Sequence, residues 1–206
     1  MELYLIRHGE TEWSRARRHT GRTDLPLSPA GEAEAKALGQ HLRGLEVDRV
    51  LSSPLTRATA TAQLAGFGDR VELTDTLLEF DYGDYEGLTS AEIRATHPGW
   101  DLFRDGCPGG ETVEAAAARA RKLLDSLIDT EGRIMLFSHG HQLRILTTCY
   151  LGFPPDAARH LFLGTASLSV LGTEHHWPAI LLWNEQEGSG AHAAESGTTG
   201  WRGVPT

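Results

Sequence analysis

Short apolar runs alternate along this chain with longer segments of helical pattern, and that alternation constrains the fold more than any other feature. Short apolar runs are typical of strands buried in a sheet, whereas amphipathic helices need longer segments with apolar residues three or four positions apart. The alternation predicts an α/β three-layer sandwich, in which helices flank a mostly parallel central sheet. The expected strands are residues 3–6, 47–51, 71–73, 134–137, 168–171 and 179–183.

Capping residues mark the ends of the expected helices. Ser28 and Pro29 are suited to the first turn of a helix that reaches about residue 42, with Gly44 just past its end. Thr112 is suited to cap an alanine-rich helix that ends near Leu127. Two further helices are expected at residues 53–66 and 140–151.

The length and composition indicate a single domain. A chain of 206 residues can bury one good core, and we expect this domain to cover residues 1–185. Residues 186–206 are mostly Gly, Ser, Ala, Thr and Glu, a composition that predicts a flexible C-terminal tail.

Charge and hydropathy argue against several classes of partner. The net charge of −9 disfavours a surface for nucleic acid or anionic membrane, because either would need a basic face. No apolar run is long enough to span a membrane, the N-terminus lacks the pattern of a signal peptide, and Cys107 and Cys149 form no CxxC pair. We therefore expect a cytoplasmic protein that binds neither nucleic acid nor membrane, and a homodimer is left open.

Polar groups follow three of the expected strands, where one pocket could collect them. Arg7 and His8 follow the first strand, Ser52 and Ser53 the second, and His139 and Gly140 the strand at residues 134–137. In α/β folds, ligands bind at the carboxyl ends of the strands. A neutral imidazole such as His8 is a competent nucleophile towards phosphorus, and the arginine fork binds phosphoryl oxygens. On the residues alone, a structural histidine and surface arginines remain open as alternatives.

Five blocks of sequence, in this order, resemble the signatures of the histidine phosphatase, or phosphoglycerate mutase-like, superfamily. The resemblance covers the chain from about residue 3 to 170. Within the superfamily, the acidic block and the later segment 104–112 are most similar to actinobacterial acid phosphatases and fungal sedoheptulose-1,7-bisphosphatases. The blocks are LIRHGETEW (5–13), TGRTDLPLSPAG (20–31), SSPLTRATATA (52–62), LEFDYGDYEG (78–87) and FSHG (137–140).

The resemblance implies an enzyme that forms a phosphohistidine. It implies that His8 is the nucleophile and that Glu79 donates a proton to the leaving alkoxide, then activates water. Arg7, Arg57 and a cationic His139 are implied to bind the phosphoryl oxygens in the transition state. A carboxyl group beside bound phosphate holds its proton more tightly, which suits Glu79 to this role.

Further residues are implied to contact phosphate or substrate. Glu86 is an alternative acid, although its place in a Tyr-Glu-Gly turn favours a structural role. The positions implied to touch phosphate or substrate are Ser14, Thr20, Gly21, Tyr82 and Gly140.

The histidine pairs at 139–141 and 175–176 admit a metal site as an alternative interpretation. No Asp or Glu partner lies at a telling spacing from them, and arginines can supply the positive charge that a metal would provide. No metal or other cofactor is therefore expected.

The expected substrate is a small phosphorylated metabolite, with sugar phosphates or bisphosphates favoured. Mutases of the superfamily carry a longer insertion after the acidic block, with lysine and paired arginines, whereas residues 90–112 are compact and contain no lysine. A phosphatase is therefore favoured over a mutase-type phosphotransferase. A non-catalytic binder is the third alternative, disfavoured because all the implied catalytic residues are present. Arg104 is predicted to contact a distal anion on the substrate, unless it is a solvated loop residue.

Overall fold

A computed structural model of the chain describes residues 1–186, and residues 187–206 lie outside the described part. The predicted tail at 186–206 therefore lies outside it, except for Gln186. The side-chain amide of Gln186 donates a hydrogen bond to the carbonyl of Thr165 at 2.7 Å.

All six expected strands and all four expected helices form. The strands are β1 (Glu2–Arg7), β2 (Arg49–Ser52), β3 (Val71–Leu73), β4 (Arg133–Ser138), β5 (Leu168–Glu174) and β6 (Trp177–Glu185). The α-helices are α1 (Glu12–Arg15), α2 (Pro29–His41), α3 (Thr56–Leu64), α4 (Ser90–Thr96), α5 (Leu102–Asp105), α6 (Val113–Leu127) and α7 (Gly140–Tyr150). Helices α1, α4 and α5 were not predicted, because helices this short do not develop a readable apolar period.

The strands form one six-stranded sheet in the order β3-β2-β4-β1-β5-β6. Strands β1, β2, β3 and β4 run parallel, whereas β5 pairs antiparallel with β1 and β6 pairs antiparallel with β5. The prediction of a mostly parallel sheet is confirmed. Parallel pairing brings the carboxyl ends of β1, β2 and β4 together at one edge.

Helices cover both faces of the sheet, which gives the predicted three layers. Along β4, Ile134 and Leu136 pack into one hydrophobic cluster with α6 and α7, while Met135 and Phe137 pack into the other with α2 and α3. Because both faces are buried, the strand reads as a continuous apolar run and not as an alternating one.

Two caps anticipated from the sequence are present. Ser28 is the N-cap of α2 and accepts a hydrogen bond from the N–H of Gly31 at 3.1 Å. Thr112 is the N-cap of α6 and accepts from the N–H of Ala115 at 3.1 Å. Side-chain caps of this kind satisfy backbone donors that the first helical turn leaves unpaired.

Within residues 1–186, none of the helices has the length and apolar character needed to cross a membrane.

Candidate active site

A cavity of about 450 Å³ lies where the carboxyl ends of β1 and β4 meet the start of α7. It is lined by residues from segments far apart in the chain. The lining residues that the sequence predicted are Arg7, His8, Ser14, Thr20, Glu79, Tyr82 and Gly140.

His8 presents one free ring nitrogen. Its Nδ1 lies 2.7 Å from the carbonyl oxygen of Gly9. A carbonyl can only accept, so Nδ1 carries the proton and Nε2 keeps its lone pair. Burial, and then the charges of Arg57 and Arg7, hold the pKa of His8 well below its usual value. The ring is therefore neutral at neutral pH and nucleophilic at Nε2.

The position after His8 requires glycine for packing. A Cβ on Gly9 would lie 2.4 Å from the carbonyl oxygen of Gly31 in the first turn of α2. The N–H of Gly9 donates to the hydroxyl of Thr61 in α3 at 3.0 Å. These contacts fix the backbone that orients the His8 ring.

Arg7 carries a buried donor with no partner. Its Nη1 donates to the carbonyl of Leu163 at 2.5 Å, while its Nε has no hydrogen-bond partner among residues 1–186. A Cβ on Gly140 would lie 3.4 Å from this Nε, so the glycine leaves room beside the guanidinium. An unpaired buried cationic donor in a cavity wall is costly unless an anion binds there.

Arg57 is fully buried and holds the loop after α1 in place. It donates from Nη1 to the carbonyl of Thr23 at 3.0 Å, and from Nη2 to the carbonyls of Thr20 at 3.1 Å and Gly21 at 2.9 Å. Its Nε donates to Nδ1 of His139 at 3.1 Å. Arg57 and Gly21 are not among the residues that line the cavity. Arg57 therefore contributes its charge from behind the wall.

The hydrogen bonds of His139 do not support the expectation that its ring is cationic. Nδ1 of His139 accepts from the permanently charged Arg57, and its Nε2 is 2.8 Å from the hydroxyl oxygen of Ser53. Burial, and then the charges of Arg57, His8 and Arg7, hold its pKa well below the usual value. His139 is thus a neutral Nε2–H tautomer, whose ring centroid lies 5.2 Å from that of His8.

Glu79 binds the N-terminus of α7. Its Oε1 accepts from the N–H groups of Phe80 at 2.8 Å and Gln142 at 3.0 Å, and its Oε2 accepts from the N–H of His141 at 3.2 Å. His139 is the N-cap residue of α7, but its side chain makes no capping hydrogen bond. The three bonds to Glu79 take the place of that cap. Backbone donors and the helix dipole orient this carboxylate in the cavity wall.

Glu86, the alternative acid, has a structural role. One of its carboxylate oxygens accepts from the N–H of Gly21 at 2.7 Å and from the N–H of Thr23 at 3.1 Å. Glu86 thus holds the same loop that Arg57 holds through the carbonyls, and it is not among the residues that line the cavity.

A cluster of neutral aromatic rings forms another wall. The Tyr82 hydroxyl and Nδ1 of His141 share a hydrogen bond of 2.6 Å, and both groups are neutral, since burial raises the pKa of Tyr82 well above its usual value and lowers that of His141. The ring centroid of His19 lies 4.7 Å from that of Tyr82. Burial, and then Arg94, lower the pKa of His19 to about 4.

The structure does not place Arg104 where the distal-anion interpretation needs it. Arg104 lies in a separate surface depression beside Tyr85 and His97, not in the cavity of His8. Its guanidinium pairs with Asp105 at 2.7 Å and donates to the carbonyl of Gly99 at 2.5 Å. This pairing with its own neighbour favours the alternative interpretation of Arg104 as a solvated loop residue.

Several lining residues were missed by the sequence interpretation. The lining residues that were not predicted are Arg17, Arg18, His19, His141, Arg144, Phe162 and Leu163. The surplus of arginine between residues 15 and 22 was the available signal, but it is also typical of an exposed helix end.

The metal alternative finds no support among the described residues. Within residues 1–186, no group of three or more His, Cys, Asp or Glu side chains is arranged to hold a metal ion. His175 is an exposed residue in the turn between β5 and β6.

Comparison with known proteins gives consistent matches. The sequence profile of the histidine phosphatase superfamily (branch 1) matches residues 3–186. The chain is 41% identical over 177 residues to an acid phosphatase of Mycobacterium tuberculosis, which covers 84% of this chain and 87% of that protein. It is 34% identical over 180 residues to the sedoheptulose 1,7-bisphosphatase of Saccharomyces cerevisiae, covering 72% of this chain and 66% of that one.

A mutase-named relative and a solved structure extend these matches. A probable phosphoglycerate mutase of Salmonella choleraesuis is 32% identical over 203 residues, covering 93% of this chain and 94% of that one. The solved structure of the open reading frame Rv3214 of Mycobacterium tuberculosis superposes with a TM-score of 0.86 at 36% identity, covering 90% of this chain and 97% of that one. The matches agree with the resemblance that the five sequence blocks carry.

Proposed function

The chain belongs to the histidine phosphatase superfamily, and we propose that it hydrolyses phosphate monoesters of small metabolites, sugar phosphates in particular, through a phosphohistidine on His8. The names of two relatives, an acid phosphatase and a sedoheptulose bisphosphatase, support this class of reaction and substrate.

One observation carries the proposal. The free Nε2 of a neutral His8 and the unpartnered Nε of Arg7 belong to adjacent residues in the wall of one cavity. The first is a nucleophile, and the second is a buried cation that lacks an anion. A phosphate monoester supplies both an electrophilic phosphorus and the missing anionic oxygens.

The proposed reaction has two steps. In the first, His8 Nε2 forms a bond to phosphorus while the bond to the ester oxygen breaks, and Glu79 gives its proton to the leaving alkoxide. In the second, Glu79 takes a proton from water, whose oxygen attacks phosphorus as the bond to His8 breaks. Inorganic phosphate leaves, and the proton taken from water leaves Glu79 protonated for the next cycle.

Two arginines supply the positive charge for both steps. Arg7 binds the phosphoryl oxygens directly, and Arg57 acts from behind through His139 and the loop carbonyls. Transition-state charge is stabilised best by donors that are already in place, because no reorganisation is needed during the reaction. A neutral His139 can donate its Nε2–H to a phosphoryl oxygen in place of Ser53.

Rapid quenching with radiolabelled substrate tests the proposal. We expect an acid-labile, base-stable phosphoenzyme in the native protein and none in His8→Ala or His8→Gln. Turnover should fall about a thousandfold or more in both variants. His175→Ala, on the exposed β5–β6 turn, is the matched control and should behave as the native protein. Substantial steady-state turnover by a folded His8 variant contradicts the proposal.

A phosphotransferase is the second candidate, favoured by the mutase-named relative. The two candidates differ in where the phosphoryl group goes after it leaves His8. A phosphatase releases inorganic phosphate in the presence of the alcohol product, whereas a mutase returns the label to a rearranged ester. Product analysis by phosphorus NMR separates them, and complete recovery of label as rearranged ester would favour the mutase.

The proposed chemistry requires no metal, because the arginines carry the charge. Phosphate release should therefore survive EDTA. Loss of activity on chelation, followed by recovery with one added divalent ion, would instead support the metal alternative.

A further inference from the structure

We propose that the mouth of the cavity, where the exposed lining residues Arg17 and Phe162 lie, binds a second anionic group on the substrate and that Arg17 selects for it. This inference rests on the proposed phosphatase function and names its substrate class. The preferred substrates are phosphate monoesters that carry another phosphate, or a carboxylate, several bonds away from the reacting phosphate.

The cavity wall holds more positive charge than the reaction needs. Four arginines line the cavity, whereas Glu79 is the only carboxylate among its lining residues within the described chain. This local surplus contrasts with the net charge of −9 for the whole protein. Arg7 accounts for the reacting phosphoryl group, which leaves three arginines to explain.

Two of these three are held by other protein groups. Arg18 forms an ion pair with Glu92 at 3.5 Å and donates to the carbonyl of Gly87 at 2.6 Å. Arg144 donates from Nε to the carbonyl of Ala158 at 2.9 Å, and its guanidinium lies 4.9 Å above the ring centroid of Phe103.

Arg17 is different because its guanidinium is unpaired. It is an exposed residue at the cavity, and it forms neither an ion pair nor a side-chain hydrogen bond with any of residues 1–186. Its guanidinium is thus available to a ligand without breaking an existing contact.

The backbone conformation of Arg17 is uncommon for a residue other than glycine. Its φ is +56°, in the left-handed region. The N–H of Arg17 donates to the carbonyl of Ser14 at 3.1 Å, and the N–H of Arg18 donates to the carbonyl of Trp13 at 2.9 Å. These two bonds form a Schellman motif at the end of α1, with Arg17 in the position where glycine is normally favoured.

An arginine in that position is unfavourable for the fold. A side chain in the left-handed region clashes with the backbone, and such strain is concentrated at functional sites. Within the described chain, the side chain of Arg17 makes no ion pair or hydrogen bond that would offset this cost, so we infer that the compensation comes from a ligand. A guanidinium is suited to bind a phosphate or a carboxylate through two parallel hydrogen bonds.

The test compares α,ω-alkanediol bisphosphates of increasing length with the matching ω-hydroxyalkyl monophosphates. The leaving alkoxides within each pair are chemically similar, so the ratio of kcat/KM reports the second anion. We expect the native protein to prefer one length of bisphosphate by about ten- to a hundredfold, the worth of one charge-assisted contact. Matching ω-carboxyalkyl phosphates distinguish a carboxylate from a phosphate as the second anion.

Three variants separate charge from backbone strain. Arg17→Gly should abolish the preference for bisphosphate and also raise the Tm by about 2–4 °C, because glycine relieves the strain. Arg17→Ala should abolish the preference without raising the Tm. Arg15→Ala is the matched control, because Arg15 is a neighbouring exposed arginine of α1 that lines a different depression, and its ratio should equal the native one.

Binding measurements keep the inference separate from the proposed function. In His8→Ala, calorimetry should show tighter binding of bisphosphate than of monophosphate, and the Arg17→Gly change should remove the difference. Hydrolysis without any preference for bisphosphate in the native protein, or an equal loss on both substrates in Arg17→Gly, overturns the inference and leaves the phosphatase. Absence of hydrolysis with Arg17-dependent binding retained overturns the proposed function alone.

Discussion

The floor and the mouth of the cavity are built in opposite ways. The catalytic floor is lined by Arg7, His8 and Glu79, and Arg57 and His139 support it from outside the lining. The side chains of His8, Arg57, Glu79 and His139 are buried, and each makes at least one hydrogen bond to another residue. The mouth, by contrast, includes the exposed residues Arg17 and Phe162.

This difference between floor and mouth follows from where the reaction needs rigid side chains. Chemistry at phosphorus requires groups that are already in place, so the floor rests on strand ends and on the helices packed against them. Recognition of a leaving group tolerates side chains that adjust, and these lie on a short helix and connecting segments. The four predictions below test this contrast, from the largest expected effect to the smallest.

Removal of the Arg57 side chain should affect both fold and catalysis. Arg57→Ala leaves the carbonyls of Thr20, Gly21 and Thr23 and the Nδ1 of His139 without a donor. We expect a loss of about 3–5 kcal/mol in the free energy of unfolding, measured by urea titration, and a loss of about a thousandfold in kcat/KM. Arg57→Lys keeps the charge but cannot make all these bonds, so recovery of activity in Arg57→Lys would contradict a positioning role.

Substitution of the acid should depend on the leaving group. Glu79→Gln keeps the carbonyl oxygen that accepts from the backbone but removes the transferable proton. We expect kcat to fall about a hundredfold or more for alkyl phosphates and much less for an activated aryl phosphate, whose leaving group hardly needs protonation. Equal losses on both substrates would move the acid role to another group.

Acid should destabilise the protein partly through His19. Its pKa is lowered to about 4 in the folded protein. Between pH 6.5 and 4, His19 is therefore protonated in the unfolded chain but neutral in the folded one. The free energy of unfolding should therefore fall as the pH drops through this window, by up to about 3 kcal/mol from this residue.

The variant His19→Phe tests this account, because a phenyl ring keeps the packing against Tyr82 and Trp100. Its stability should fall less steeply below pH 6.5 than that of the native protein. If the slope of stability against pH is the same in the variant and the native protein, His19 is not shielded from water, and the wall beside the mouth is hydrated, unlike the floor.

Removal of Arg104 should have little effect on activity. Arg104 is exposed, pairs with Asp105 and lies outside the cavity. We expect Arg104→Ala to keep kcat/KM within about twofold for bisphosphates and monophosphates alike, and to change stability by less than about 1 kcal/mol. A selective loss on bisphosphates would restore the original prediction for this residue.

The sequence by itself determined the local features of this protein. Apolar runs located all six strands, and Ser28 and Thr112 located the starts of two helices, because burial and capping depend on residues close together in the chain. The order of the motifs also determined the superfamily, and the motif at His8 places the candidate nucleophile at the end of β1.

Only the tertiary structure decided the charge state and the boundary of the site. His139 is neutral because Arg57, 82 positions away in the sequence, donates to its ring. Arg104 lies outside the cavity, and Arg17 lies in its wall, because packing between distant elements sets the direction of each side chain. An arginine has the same chemistry in every sequence, and only its surroundings in the fold determine whether a neighbouring carboxylate or a ligand neutralises it.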